Sequence, residues 1–198
     1  MTAALFAGLS RLIAGTSVRW VDCRPDARQR VYFANHTSHL DFVVIWSALP
    51  PAARAVTRPV AAQDYWERGR LRHYLASAVF NAVLIDREKV SARNNPVDRI
   101  IEAMGDRYSL ILFPEGTRGS EVGAFKSGLY HLCVRKADLE LVPVYVENLN
   151  RILPKGEFLP VPLLSTVTFG PSIALKPGEP KGAFLERARS AVLNLRQV

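Results

Sequence analysis

His36 and Asp41 are the first residues in this chain whose types and spacing suit acid–base work, within Asn35-His36-Thr37-Ser38-His39-Leu40-Asp41. An imidazole titrates near neutrality, and a carboxylate bonded to one ring nitrogen fixes its tautomer and stabilises the imidazolium. A histidine held this way can take the proton from an alcohol as that alcohol attacks a thioester, help worth about 10²- to 10⁴-fold in rate. Within one continuous helix, side chains five positions apart would point about 140° apart. The pair therefore needs His36 outside the helix. Ser38 followed three residues later by Asp41 forms a capping box, which predicts a helix start at Ser38 with His36 in the preceding loop. His39 falls inside the predicted first turn and reads as a bystander.

A second segment, Phe113-Pro114-Glu115-Gly116-Thr117-Arg118-Gly119, follows an apolar run. Its glycines let backbone approach a ligand closely. Arg118 can fork onto a phosphate, and Glu115 can accept from a hydroxyl or hold that arginine. Arg87, in Ile85-Asp86-Arg87, is a second candidate phosphate ligand. Val142-Pro143-Val144-Tyr145 contains a proline that removes a ladder donor, which predicts an edge strand or a bulge lining the site.

The elements that must position these residues alternate along the chain. Strands are expected at 31–34, 54–61, 82–86, 109–113, 139–146 and 165–169. Helices are expected at 38–48, ended by Pro50-Pro51, and at 64–79, 97–104, 127–136 and 181–195. This alternation predicts an α/β fold: a single layered domain over 1–198 with a largely parallel or mixed central sheet flanked by helices. Ligands of such sheets bind beyond the carboxyl ends of the strands. Asn35-His36, Asp86-Arg87 and the Glu115 turn all follow strands, so one crevice is expected to hold them.

The 198 residues carry a net charge of +8, with 20 arginines against 6 lysines. Arginine's planar fork suits phosphate, so an anionic partner is expected. No basic strand interleaved with aromatics and no recognition-helix signature is present, so nucleic acid is not the expected partner. Cys23 and Cys133 form no CxxC pair and imply neither a disulfide framework nor a thiolate zinc site. A hydrolase using His36, His39 and Asp41 as metal ligands is a rival reading, but such ligation conflicts with the capping box. A non-catalytic binder of anionic membrane or nucleic acid is another. No apolar stretch reaches the roughly 18 residues of a membrane span. Leu5, Leu9, Leu12 and Ile13 fall at helical spacing, which predicts a short amphipathic helix over about 3–14 able to lie in a membrane interface.

In this order, the segments resemble the glycerolipid acyltransferase family, whose members include the 1-acylglycerol-3-phosphate acyltransferases. His36 and Asp41, with Asn35 and Ser38, match the family's Asn-His-x-Ser-x-x-Asp. Phe113 through Arg118 match its Phe-Pro-Glu-Gly-Thr-Arg without substitution. Asp86-Arg87, Val142-Pro143 and Phe125-Lys126-Ser127-Gly128 match further blocks. The resemblance covers residues 31–146. It implies acyl transfer from acyl-CoA or acyl carrier protein to a lysophospholipid hydroxyl, in phospholipid biosynthesis, with His36 as base and Asp41 as its partner. By the same carry-over Arg87, Glu115, Gly116, Thr117 and Arg118 bind the acceptor, and no metal or organic cofactor takes part. The expected place of action is the cytoplasmic face of a membrane, with peripheral or monotopic attachment. Only 35 residues precede His36, fewer than in larger members with more hydrophobic N-terminal sequence.

Overall fold

Strand Arg30–Ala34 (β2) is buried along its whole length and divides its side chains between two cores. Tyr32 and Ala34 face one layer of helices, while Val31 and Phe33 face the other. A strand buried on both faces belongs at the centre of a parallel sheet, where neighbouring crossovers cover both sides. The computed structural model describes residues 16–38, 41–67, 69–86, 95–147 and 165–197. The N-terminal helix expected at 3–14, His39 and Arg87 lie outside the described residues.

β1 (Ser17–Trp20), β2, β3 (Thr57–Ala62), β4 (Val83–Ile85), β5 (Ser109–Leu112), β6 (Glu140–Glu147) and β7 (Thr166–Phe169) form one seven-stranded sheet. Their order is β1-β7-β6-β2-β5-β3-β4. All neighbours pair in parallel except β6 and β7, so the sheet is mixed but largely parallel, as expected. On one face lie the helix Asp41–Ala48 (α1) and Phe80; Phe42 and Trp46 meet the Phe80 ring edge-on at 4.9 and 5.2 Å. On the other lie helices Pro96–Met104, Gly128–Arg135 and Lys181–Asn194, which bury Ile100, Leu132 and Phe184. Among the described residues no helix is long and apolar enough to cross a membrane.

Several elements differ from the sequence-based expectation. Pro50-Pro51 ends one helix but also starts another, because Pro51 opens the short helix Pro51–Ala55 at a position where a missing N–H costs nothing. That helix displaces the start of the strand expected at 54–61 to Thr57. The stretch expected as one helix at 64–79 is broken. Helix Gln63–Trp66 ends before Gly69, whose φ of +96° interrupts helical backbone, and Arg70–Tyr74 then runs into a π-helical turn at Leu75–Val79. Ser17–Trp20 forms an edge strand that the pattern did not announce. Pro143 is not on an edge strand, since β6 lies between β7 and β2. It does fall at a bulge, where the register slips by one residue between the Leu141–Ile173 bridge and the Val144–Phe169 pair, but it is not among the residues that line the crevice. The proline is tolerated because the antiparallel ladder with β7 begins only at Val144, so no partner strand demands an N–H at 143. Its carbonyl instead accepts from the Gly170 amide at 2.9 Å.

Candidate active site

β2 and β5 are neighbours in register, with Phe33 opposite Leu112, so the loops leaving their carboxyl ends emerge side by side. Asn35 anchors the first loop. Its side-chain amide donates to the Val146 carbonyl at 2.9 Å and its oxygen accepts from the Val146 N–H at 2.8 Å. These two bonds reproduce what another peptide would offer the end of β6, and they leave no buried polar group orphaned.

His36 follows. Its Nδ1 lies 2.8 Å from Asp41 Oδ2. A carboxylate only accepts, so the proton between them sits on Nδ1, and the neutral ring keeps an unprotonated Nε2. The same Oδ2 accepts from the amides of Thr37 and Ser38 at 2.6 and 2.9 Å. The bond to the Ser38 amide is the returning arm of the expected capping box. Asp41 is fully buried in the first turn of α1, where the helix dipole favours negative charge. Phe113 stacks on the imidazole with ring centroids 4.2 Å apart and planes 21° apart, so rotation of the ring is blocked on one face.

The turn after β5 closes the site. Gly116 has φ +70°, a conformation that favours glycine, and a Cβ there would meet Lys126 Nζ at 2.8 Å. The backbone conformation is what favours glycine here, since the Lys126 side chain could move aside for a Cβ. Thr117 and Arg118 are exposed beyond it. Glu115 is buried; its Oε1 accepts from the His36 amide and its Oε2 from the Gly123 amide, both at 2.8 Å.

A crevice of about 370 Å³ opens at these loops. His36, Gly116, Thr117 and Arg118 line it, together with Phe113, Leu112 and Ile85. Its remaining wall comes from the end of β3 and the helix after it: Val60, Ala61, Ala62, Asp64, Tyr65 and Trp66, with Phe42 from α1. Four of the site residues expected from sequence therefore share one cavity, with Asp41 behind His36 and Glu115 beneath the turn. The crevice offers an oriented imidazole, a guanidinium and apolar walls, a combination suited to a ligand with an anionic head and a hydrocarbon body.

Sequence reasoning gave no structural role to Asn35 and did not see Phe113 as the ring's support. The partner of Asn35 is 111 residues away, and nothing local signals it. The Tyr65–Trp66 wall carried a weak signal, an aromatic pair directly after a strand. The metal-centre rival fares poorly on geometry: Asp41 Oδ2 is already committed to three N–H donors.

An oriented His–Asp pair at the end of a central parallel strand, sharing a crevice with an arginine-bearing turn, is a general-base arrangement beside an anion-binding group. Residues 17–147 match the Acyltransferase family, and the chain belongs to it. Among named relatives, it is 27% identical over 179 residues to a 1-acyl-sn-glycerol-3-phosphate acyltransferase of Limnanthes douglasii, covering 85% of this chain and 59% of that one. It is 29% identical over 156 residues to the enzyme of the same name from Limnanthes alba, covering 74% and 50% respectively. The chain thus spans between half and three-fifths of the length of these curated relatives. Its fold is similar to that of the crystal structure of the 1-acyl-sn-glycerophosphate (LPA) acyltransferase PlsC from Thermotoga maritima. That match has a TM-score of 0.77 at 18% identity and covers 99% of this chain and 78% of that one.

Proposed function

We propose that this protein transfers a fatty acyl group from a thioester donor, acyl-CoA or acyl carrier protein, to the hydroxyl of a lysophospholipid such as 1-acylglycerol-3-phosphate. The observation that carries the reading is the 2.8 Å bond from His36 Nδ1 to buried Asp41, with the ring lining the same crevice as Arg118. The names of the Limnanthes relatives support the same acceptor.

In this reaction the acceptor oxygen attacks the thioester carbonyl while His36 Nε2 takes the hydroxyl proton. The carbon–oxygen bond forms, the carbon–sulfur bond breaks, and the departing thiolate collects the proton from the imidazolium. Asp41 stabilises that imidazolium and keeps Nε2 aimed at the acceptor. Arg118 and the backbone at Gly116 and Thr117 receive the phosphate-bearing head, with Arg87 as a second cation. The reaction runs without a metal or organic cofactor, at the cytoplasmic face of a membrane where both lipid substrate and product reside.

Purified protein assayed with labelled acyl-CoA and acyl carrier protein, against lysolipids with and without phosphate, tests this directly. Acyl transfer is expected to the phosphorylated acceptors, falling by about 10²- to 10⁴-fold in His36→Ala. Near-normal turnover by that variant would remove His36 from the role of base.

A further inference from the structure

The geometry points to Glu115 as a positioning residue that sets the backbone of His36, rather than as a ligand of the acceptor. The inference rests on the reading of His36 as the base.

Glu115 is only 7% exposed and is not among the residues that line the crevice. Each carboxylate oxygen meets a backbone donor: the His36 amide on Oε1 and the Gly123 amide on Oε2, both at 2.8 Å. The approach to Gly123 is close, since a Cβ there would lie 3.2 Å from Oε2. A return bond runs from the Gly119 amide to the His36 carbonyl at 3.0 Å. The base is thus gripped at both its N–H and its C=O by the segment that carries Thr117 and Arg118. The two carboxylates divide the task. Asp41 fixes the tautomer and rotation of the ring, and Glu115 fixes the main chain from which the ring hangs.

The chemistry of the clamp explains the residue type. Two N–H donors face the side chain, and an ionised carboxylate is acceptor-only at both oxygens. Glutamine would match one donor and turn its own NH2 against the other, breaking one side of the clamp. Misplacing a reacting group by about 1 Å can cost about 10²-fold in rate, so the loss belongs in kcat.

The test uses the full chain carrying Glu115→Gln, Gly123→Ala or Arg118→Ala, assayed with acyl-CoA and varied 1-acylglycerol-3-phosphate. In parallel, ¹⁵N-histidine-labelled protein is examined by NMR for the His36 Nδ1–H proton, assigned by its loss in His36→Ala. Glu115→Gln is expected to lower kcat by about 10- to 100-fold, with acceptor KM within twofold and the ring proton broadened or lost. Gly123→Ala, on an exposed loop, should move kcat and the ring proton in the same direction and by less; it decides the matter if Glu115→Gln does not fold. Arg118→Ala should instead raise acceptor KM and leave the ring proton in place. A Glu115→Gln variant that behaves like Arg118→Ala, or one with unchanged kcat and an intact ring proton, overturns the proposal. If the unmodified protein transfers no acyl group, the functional reading falls while the resonance still reports whether Glu115 holds His36.

Discussion

One oxygen of Asp41 accepts from His36 Nδ1, the Thr37 amide and the Ser38 amide, so that carboxylate orients the base and caps α1 together. Asp41→Asn keeps the volume but removes the charge, and its amide can present an oxygen to the backbone donors only by turning an NH2 elsewhere. The imidazole then loses its fixed tautomer and its counter-charge. We expect kcat to fall by about 10²- to 10⁴-fold with acceptor KM little altered. Steady-state kinetics with varied acceptor check this; a variant whose KM rises while kcat holds would show that Asp41 serves binding instead.

Between elements, the loop after β2 depends on β6 as well as on β5. Asn35→Ala would strip the Val146 N–H and C=O of their side-chain partner in a buried setting. At about 1–3 kcal/mol for an unsatisfied buried group, we expect urea denaturation to show a loss of about 2–4 kcal/mol. An unchanged midpoint would mean that water or a rearranged loop takes over those bonds. At this scale the sequence was informative where one local cause dominates. Val31–Ala34 and Leu110–Leu112 are uninterrupted apolar runs, and central parallel strands read in that way. Asn95 accepting from the Val97 amide and Gly105 at the far end mark a helix as their types predict. It was misleading where two causes compete. The apolar spacing across 64–79 continues through Gly69 although the backbone does not, and Pro51 stops one helix while starting the next. For Pro143 the sequence leaves edge strand and bulge open, because only tertiary pairing decides between them, and that pairing puts the proline at a register slip inside the sheet. In the site, His36, Asp41 and the Glu115 turn were legible because their spacing and residue types are chemical. The roles of Asn35, Phe113 and the Tyr65–Trp66 wall were not, because each is defined by a partner distant in sequence.

For the molecule as a whole, the amino end of the sheet carries its own polar lock, opposite the crevice. Arg30 is buried at the start of β2, and its guanidinium bonds Glu140 at 2.8 and 3.2 Å, Asp26 at 3.0 Å and the Arg24 carbonyl at 2.9 Å. Burial pushes the Glu140 carboxyl up, but the hydrogen bonds and charge of Arg30 outweigh it and hold the group below its ordinary value of 4.5. Asp26 is likewise held below 3.8, with burial opposed by bonds from Arg28 and the charge of Arg30. A depressed folded value means that the stabilisation is complete above the ordinary carboxylate range and is lost as pH falls through the folded values. Glu140 and Asp26 keep part of their side chains in solvent, so Arg30→Ala should cost about 1–3 kcal/mol at pH 7, chiefly through the lost charge-assisted hydrogen bonds. Glu140→Gln should differ from the unmodified protein at pH 7 and converge with it as pH drops below the ordinary value of 4.5. Urea titrations across that range check both. A gap that stays constant with pH would show that the pair contributes through packing alone.

His36 and the turn that grips it leave adjacent strands, whereas Ala61 and Ala62 end β3, and Tyr65 and Trp66 belong to the crossover that runs out from it and returns as β4. The acid–base pair and the arginine-bearing turn therefore sit on two loops, while much of the crevice's far wall belongs to a different stretch of the polypeptide. Drift along that crossover reshapes the room a ligand enters without disturbing the two loops that act on it, which lets one reaction be kept while its clientele changes.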